Sequence, residues 1–265
     1  MITIVLGMHR SGTSVVAGIL HFNKVIMGTY ETFWPRPLPQ NPKGFYENYE
    51  FRKINDQLLR DVGYDTKQYK SKIPVPEISE KIKIKMIKMI QKYESNFNKW
   101  GWKDPRTCLT ISDWAAAIEE IGLIDKVKII FVSRKSISVA RSLKKRNQLP
   151  LPKGLSLWKT YTERSIDFCK NNKIATLYLS FEGILENPET HCEKLFQFFI
   201  ILSIPLLFLS IIGSINQKDI RIFPYLLIVI PAQIIGYGTG FLQAFIRRFL
   251  FKQGEITGFK KNYYK

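Results

Sequence analysis

The opening fourteen residues, Met-Ile-Thr-Ile-Val-Leu-Gly-Met-His-Arg-Ser-Gly-Thr-Ser, constrain this chain more than any other segment. Residues 2–6 form a short apolar run, largely β-branched, which predicts a buried parallel strand. The run breaks at Gly7, the chain turns through residues 8–12, and residues 13–20 predict an apolar helix. A strand, a glycine-bounded turn and a helix N-terminus together make an anion cradle, because free backbone N–H groups and the helix dipole point at one spot. The interval from Gly7 to Gly12 to Thr13-Ser14 is that of a Walker-type phosphate loop with one change: Thr13 stands where an NTPase places its lysine. The positive charge sits inside the loop instead, at Arg10. Such a loop is built for an anion other than the β/γ-phosphates of ATP.

A second absence agrees with the first. Residues 126–132 predict another buried strand, and it ends in Ser133-Arg134 rather than in an acid that would hold Mg²⁺. The missing lysine is the group that neutralises charge on a transferred γ-phosphoryl. Lacking both, the chain reads as a metal-free group transferase, with a nucleotide or small-molecule kinase as the rival enzyme class. A formal net charge of +18 favours acidic ligands or an anionic membrane surface. Much of that excess lies in residues 81–92, whose lysines alternate with Ile and Met as the solvated face of an amphipathic helix does. No recognised motif or aromatic stacking platform accompanies the charge, so nucleic acid is not an expected partner. Cys108, Cys169 and Cys192 have neither metal-type spacing nor a pairing pattern, and His9, His21 and His191 do not cluster; no metal site is expected.

The 265 residues have room for one α/β domain and an appendage. Composition changes abruptly near Leu195. Residues 195–213 and 222–245 are two apolar runs joined by a polar stretch, each close to the about 20 residues that cross a bilayer as a helix. The expected organisation is a domain over residues 1–199, a two-helix membrane hairpin over 200–252 and a basic tail over 253–265; a buried core helix or an interfacial hairpin is the alternative. The cations after the second run favour a cytosolic C-terminus. The first apolar run is too short for a signal peptide and leads straight into the loop. A membrane-associated protein with a cytoplasmic catalytic domain is expected.

Three further segments carry chemistry. Residues 34–44 are rich in proline, with Asn41-Pro42-Lys43-Gly44 reading as a turn, and they lead into Phe45-Tyr46-Glu47-Asn48. Near a phosphate site such a loop is a lid or an acceptor-binding element, or else a plain surface connection. Residues 100–106 place Lys103, Asp104 and Arg106 around a proline turn. Arg134 lies at a strand tip and Ser142 eight positions later, about two helical turns on, so the pair can grip one phosphate from two sides. Two anion grips on one sheet suit a nucleotide with phosphates at its 5′ and 3′ positions.

With these segments in order, residues 1–199 resemble the sulfotransferases that use 3′-phosphoadenosine 5′-phosphosulfate (PAPS), in the bacterial, glycan and tyrosylprotein branch. Residues 7–14 resemble that family's 5′-phosphosulfate loop, Arg134 and Ser142 its 3′-phosphate motif, and residues 102–106 its Lys-Asp-Pro segment. Residues 41–48 resemble the Asn-Pro-x-Gly segment of a bacterial branch, and residues 178–198 the usual last strand and closing helix. The resemblance implies a three-layer, P-loop-kinase-like α/β fold with a mainly parallel sheet. It implies sulfuryl transfer to a hydroxyl or amine of a glycan, a lipid-linked sugar or a similar acceptor, without a metal. Arg10, Ser11, Gly12, Thr13 and Ser14 would hold the 5′-phosphosulfate, with Arg10 also acting on the group in flight. Lys103 would stabilise the leaving oxygen, unless it serves a structural ion pair with Asp104 or another acid. The general base would be Glu47 or, by its interval from Arg10, Glu31. Acceptor choice would lie in loops at residues 29–44 and 148–157. The apolar C-terminal runs depart from the family, and a non-catalytic nucleotide-binding membrane protein stays open as a third reading.

Overall fold

The computed structural model describes residues 1–198, apart from 36, 38–40, 42, 71 and 77, together with residue 221. The membrane hairpin expected over 200–252 and the basic tail over 253–265 lie outside the described residues, Arg221 excepted. Among the described residues no helix is long and apolar enough to cross a membrane. The chain divides into two compact units, Met1–Cys192 and Glu193–Lys265.

The first unit is built on four strands, β1 (Ile2–Leu6), β2 (Trp100–Lys103), β3 (Val127–Ser133) and β4 (Ala175–Ser180). They lie in the order β2-β1-β3-β4, and every neighbouring pair is parallel. Parallel strands need covered faces, and all five residues of β1 are buried. Side chains alternate along a strand. Ile2, Ile4 and Leu6 therefore share one face and join Trp100, Trp102, Ile129 and Phe131 in the main core. That core is completed by α2 (Tyr49–Asp61), α3 (Glu80–Asn96), α4 (Thr107–Glu120), α5 (Ser136–Asn147) and α6 (Leu151–Asn171). Thr3 and Val5 turn to the opposite face, and α1 (Thr13–Phe22) packs along β1 and β2. Two short helices, α7 (Phe181–Glu186) and α8 (Pro188–Phe198), follow β4.

The lysine-rich stretch is the amphipathic helix its pattern predicts. Ile82, Met86 and Ile90 of α3 are buried at intervals of four, while Lys81, Lys85, Lys88 and Lys92 are exposed. Around β2 the core is aromatic: Phe51 of α2 stacks on Trp102 with ring centroids 4.5 Å apart, and Trp114 of α4 lies 5.0 Å from Trp102. These rings clamp α2 and α4 onto the strand that ends in Lys103.

One expectation is corrected here. Residues 148–157 are a loop only as far as Pro150, because α6 begins at Leu151. Pro152 falls in the first helical turn, where its missing N–H leaves no intrahelical bond unmade. Gly154 then lets α6 approach α5 so closely that an added Cβ would stand 3.1 Å from the Ala140 Cα.

Gly101 is the tightest point of the sheet. A Cβ there would overlap the Thr3 carbonyl oxygen, which is backbone and has nowhere to go. Gly101→Ala is expected to lower the unfolding free energy by at least about 3 kcal/mol, the upper end of the overpacking range, as read by urea denaturation.

Candidate active site

The register brings all four strand ends to one edge of the sheet: Val5 pairs with Lys103, Leu6 with Phe131, and Ser133 with Ser180. In open parallel sheets this carboxyl edge is where ligands sit. Each strand delivers something there: the loop 7–12 from β1, Lys103 from β2, Arg134 from β3 and Phe181-Glu182 from β4.

The loop has the geometry of an anion cradle. Arg10 and Gly12 adopt left-handed backbone conformations, with φ of 71° and 85°. Gly12 caps α1 without any side-chain hydrogen bond, so Thr13 and Ser14 present N–H groups that have no intrahelical acceptor. Gly12 must also lack a side chain, since a Cβ would run into the Phe181 ring. Ser11 is 1% exposed, and its Oγ has no hydrogen-bond partner among the described residues. A buried hydroxyl left unpaired beside free N–H groups is what a bound anion would satisfy. At the entrance to the loop, the Gly7 N–H donates to Cys108 Sγ at 3.1 Å. Burial pushes the Cys108 thiol up to about 12, so it stays protonated and serves as a wall.

The second grip is physically joined to the first. Arg10 Nε donates to Ser142 Oγ at 2.8 Å, and Arg134 Nη1 donates to the Arg10 carbonyl at 2.9 Å. The Arg134 guanidinium also lies over the Phe181 ring, 4.9 Å from its centroid, with Glu182 4.0 Å from its Nε. Burial first, and then Arg146 and Arg134, lower the pKa of Arg10. Like charges drawn together at a half-buried site create a field that an anion relieves. Arg146 was not singled out in the sequence; its only signal was its place one turn beyond Ser142 on α5.

Across the loop, Lys103 Nζ lies 2.9 Å from Glu47 Oε1, and both side chains are buried. Lys103 thus makes the ion pair that was the alternative to a role at the leaving oxygen, and the acid is Glu47 rather than Asp104. Glu47 is held by the start of α2. Asn48 caps that helix by accepting the Glu50 N–H at 3.1 Å and donates to Tyr93 Oη at 2.6 Å. The Trp34 N–H donates to the Glu47 main-chain carbonyl at 3.0 Å, fastening the start of the proline-rich loop to the backbone of Glu47. The expected turn at its far end is present, with the Gly44 N–H donating to the Asn41 carbonyl at 3.1 Å. Glu31 lies just before the proline-rich loop and is exposed.

Asp104 is fully buried between Arg106 Nη1 at 2.8 Å and Asn55 Nδ2 at 2.8 Å. Burial works against its charge, but Arg106 and Asn55 outweigh burial and hold its carboxyl below the usual carboxylate range. Arg106 Nε reaches Asp56 Oδ1 at 2.6 Å. Asn55, invisible to motif reading, satisfies its whole amide: Nδ2 donates to Asp104 and Thr107, and Oδ1 accepts from Thr110 Oγ1 and the Trp114 indole. This network fixes the turn on which Lys103 stands. His9 is partly buried with its ring 6.0 Å from that of Tyr161. Burial, reinforced by Arg106, drops its pKa to about 3, so it is a neutral imidazole. Among the described residues no group of three or more His, Cys, Asp or Glu side chains is gathered as a metal ion would need.

No family model and no curated protein matches this chain. Among solved structures it is similar to the sulfotransferase domain from the Synechococcus PCC 7002 olefin synthase, at 15% identity and a TM-score of 0.44 over 74% of this chain and 72% of that one. It is also similar to the sulfotransferase domain from the curacin biosynthetic pathway, at 12% identity and a TM-score of 0.45 over 75% and 73% of the two chains.

Two outcomes are expected from this geometry. Asn55→Ala strands a buried carboxylate oxygen and an indole N–H, and should cost about 3 kcal/mol or more in urea unfolding. His9 binds a proton in the unfolded chain below its ordinary 6.5 but in the folded chain only below about 3. Its contribution to stability is therefore complete above 6.5 and is lost as pH falls toward 3. His9→Gln should flatten that part of the stability–pH profile between pH 6.5 and 5, where few carboxylates have begun to titrate.

Proposed function

We propose that this chain is a PAPS-dependent sulfotransferase acting on a hydroxyl or amine acceptor. The observation that carries the reading is the linkage of two anion grips, Arg10 to Ser142 and Arg134 to Arg10, on the same sheet edge as the buried Glu47–Lys103 pair. One grip alone suits any phosphate; two joined grips suit a nucleotide charged at both its 5′ and 3′ positions.

The donor supplies a sulfuryl group on an anhydride to phosphate. The Thr13 and Ser14 N–H groups, the Ser11 hydroxyl and Arg10 bind that end and stabilise its spread negative charge. Arg134 and Ser142 take the 3′-phosphate, and Phe181 offers a ring beside them. Glu47 accepts the acceptor's proton as the new sulfur–oxygen bond forms. Lys103 stabilises the bridging oxygen as the old bond breaks. Glu47 is preferred to Glu31 as base because it is buried and held at 2.9 Å from Lys103. The acceptor class that best suits the resemblance is a glycan or lipid-linked sugar, approaching over the loop at residues 29–44. Membrane association would come from the apolar runs after residue 195.

The test is a thermal-shift comparison of adenosine 3′,5′-bisphosphate, 5′-AMP and Mg-ATP. Selective stabilisation by the bisphosphate is expected, about 2.7 kcal/mol at a hundredfold excess over Kd, and it should be lost in Arg134→Ala and much reduced in Ser142→Ala. Stabilisation by Mg-ATP alone would overturn the reading in favour of a kinase.

A further inference from the structure

The geometry points to a lock on this site: Glu47 and the donor's 5′-phosphosulfate compete for the single ammonium of Lys103, so nucleotide binding uncovers the base. The inference rests on the function proposed above and concerns the regulation of that same site.

Lys103 is 2% exposed and Glu47 8% exposed, and Lys103 Nζ lies 2.9 Å from Glu47 Oε1. A carboxylate paired with an ammonium is occupied, and must part from it before an acceptor hydroxyl can donate to the same oxygen. An ammonium engaged by a carboxylate is, in turn, less able to neutralise a leaving oxygen. Paired in this way, the two groups occupy each other. Burial gives the pairing its strength, since neither charge can turn to water instead.

The competitor enters one strand away. Lys103 pairs in register with Val5, two residues before the loop begins, and its charge is felt at His9 within the loop. An ammonium has three donors on a flexible stem, and can swing toward an anion in the cradle. The Glu47 backbone is held in place, because Asn48 caps α2 immediately after it and the Trp34 N–H donates to its main-chain carbonyl. When the ammonium leaves, a buried carboxylate loses its hydrogen-bonded counter-charge. An acceptor hydroxyl donating to it relieves that cost, so donor and acceptor each favour the other's binding. Such coupling is reciprocal. Donor and acceptor are thereby coupled through one ammonium, without a moving lid.

The experiment is calorimetric titration with adenosine 3′,5′-bisphosphate of the full chain and of Glu47→Gln, Lys103→Met and the double variant. Removing the competing charge should tighten nucleotide binding about tenfold in Glu47→Gln, within the usual range of coupling between sites. Lys103→Met should weaken binding, and adding Glu47→Gln to it should change nothing further. Equal or weaker binding by a folded Glu47→Gln, or the same tightening in the presence and absence of Lys103, overturns the lock. If Glu47→Gln does not fold, Glu47→Asp keeps the charge but withdraws it by one methylene, and should tighten binding less than tenfold but measurably; no tightening overturns the lock. A wild-type chain that binds no bisphosphate, with variants that bind none, overturns the proposed function beneath it.

Discussion

The site depends on β1 lying between β2 and β3 and bonding parallel to both. A central parallel strand is buried on each face, so its apolar residues cannot be traded for polar ones without cost, and its only outlet is its carboxyl end. The turn at that end leaves backbone N–H groups without acceptors, and the flanking strands end at the same level. Lys103 and Arg134 are consequently delivered to either side of one loop by sheet geometry, not by the loop itself. The strength of this placement comes from cooperation: shifting the register of either neighbour by one residue would turn every side chain of that strand to the wrong face.

Around that edge the protein concentrates charge that it does not neutralise locally. On one side Arg146 and Arg134 both act on Arg10, and Glu182 lies 4.0 Å from Arg134. On the other, Lys103 and Glu47 compensate one another, and Asp104, Arg106 and Asp56 form their own set. The first side is poised to receive an anion, and the second is balanced until something disturbs it. The difference lies in packing. The Asp104 set is tied down by the fully bonded Asn55 amide, whereas Lys103 and Glu47 are joined by a single ion pair at 2.9 Å.

The supporting shell is mostly aromatic and amide. Phe51, Trp102 and Trp114 clamp α2 and α4 to β2, while Tyr93 bridges Asn48 and Glu50 at the start of α2. A helix pinned at its first turn by Asn48 and at its middle by Asn55 has little freedom to rotate. Rigid support of this kind is what makes a buried ion pair specific rather than merely costly.

Much of the α/β domain was legible in the chain. The apolar run at residues 2–6, the loop from Gly7 to Ser14, the strand ending at Ser133-Arg134 and the amphipathic residues 81–92 follow from local periodicity and glycine placement, which are properties of neighbours in sequence. The strand end at Arg134 and the helix that carries Ser142 follow from the same local signals. The start of α6 was misplaced because a proline at a helix's first turn looks like one in a loop. What pairs with what was decided only by tertiary structure. Glu47 and Lys103 are separated by 56 residues, and Asn55 and Asp104 by 49, so nothing local could pair them. The sequence by itself determined an α/β chain with an anion loop; the order of strands decided which charges meet at its rim, since only the sheet sets distances between residues far apart along the chain.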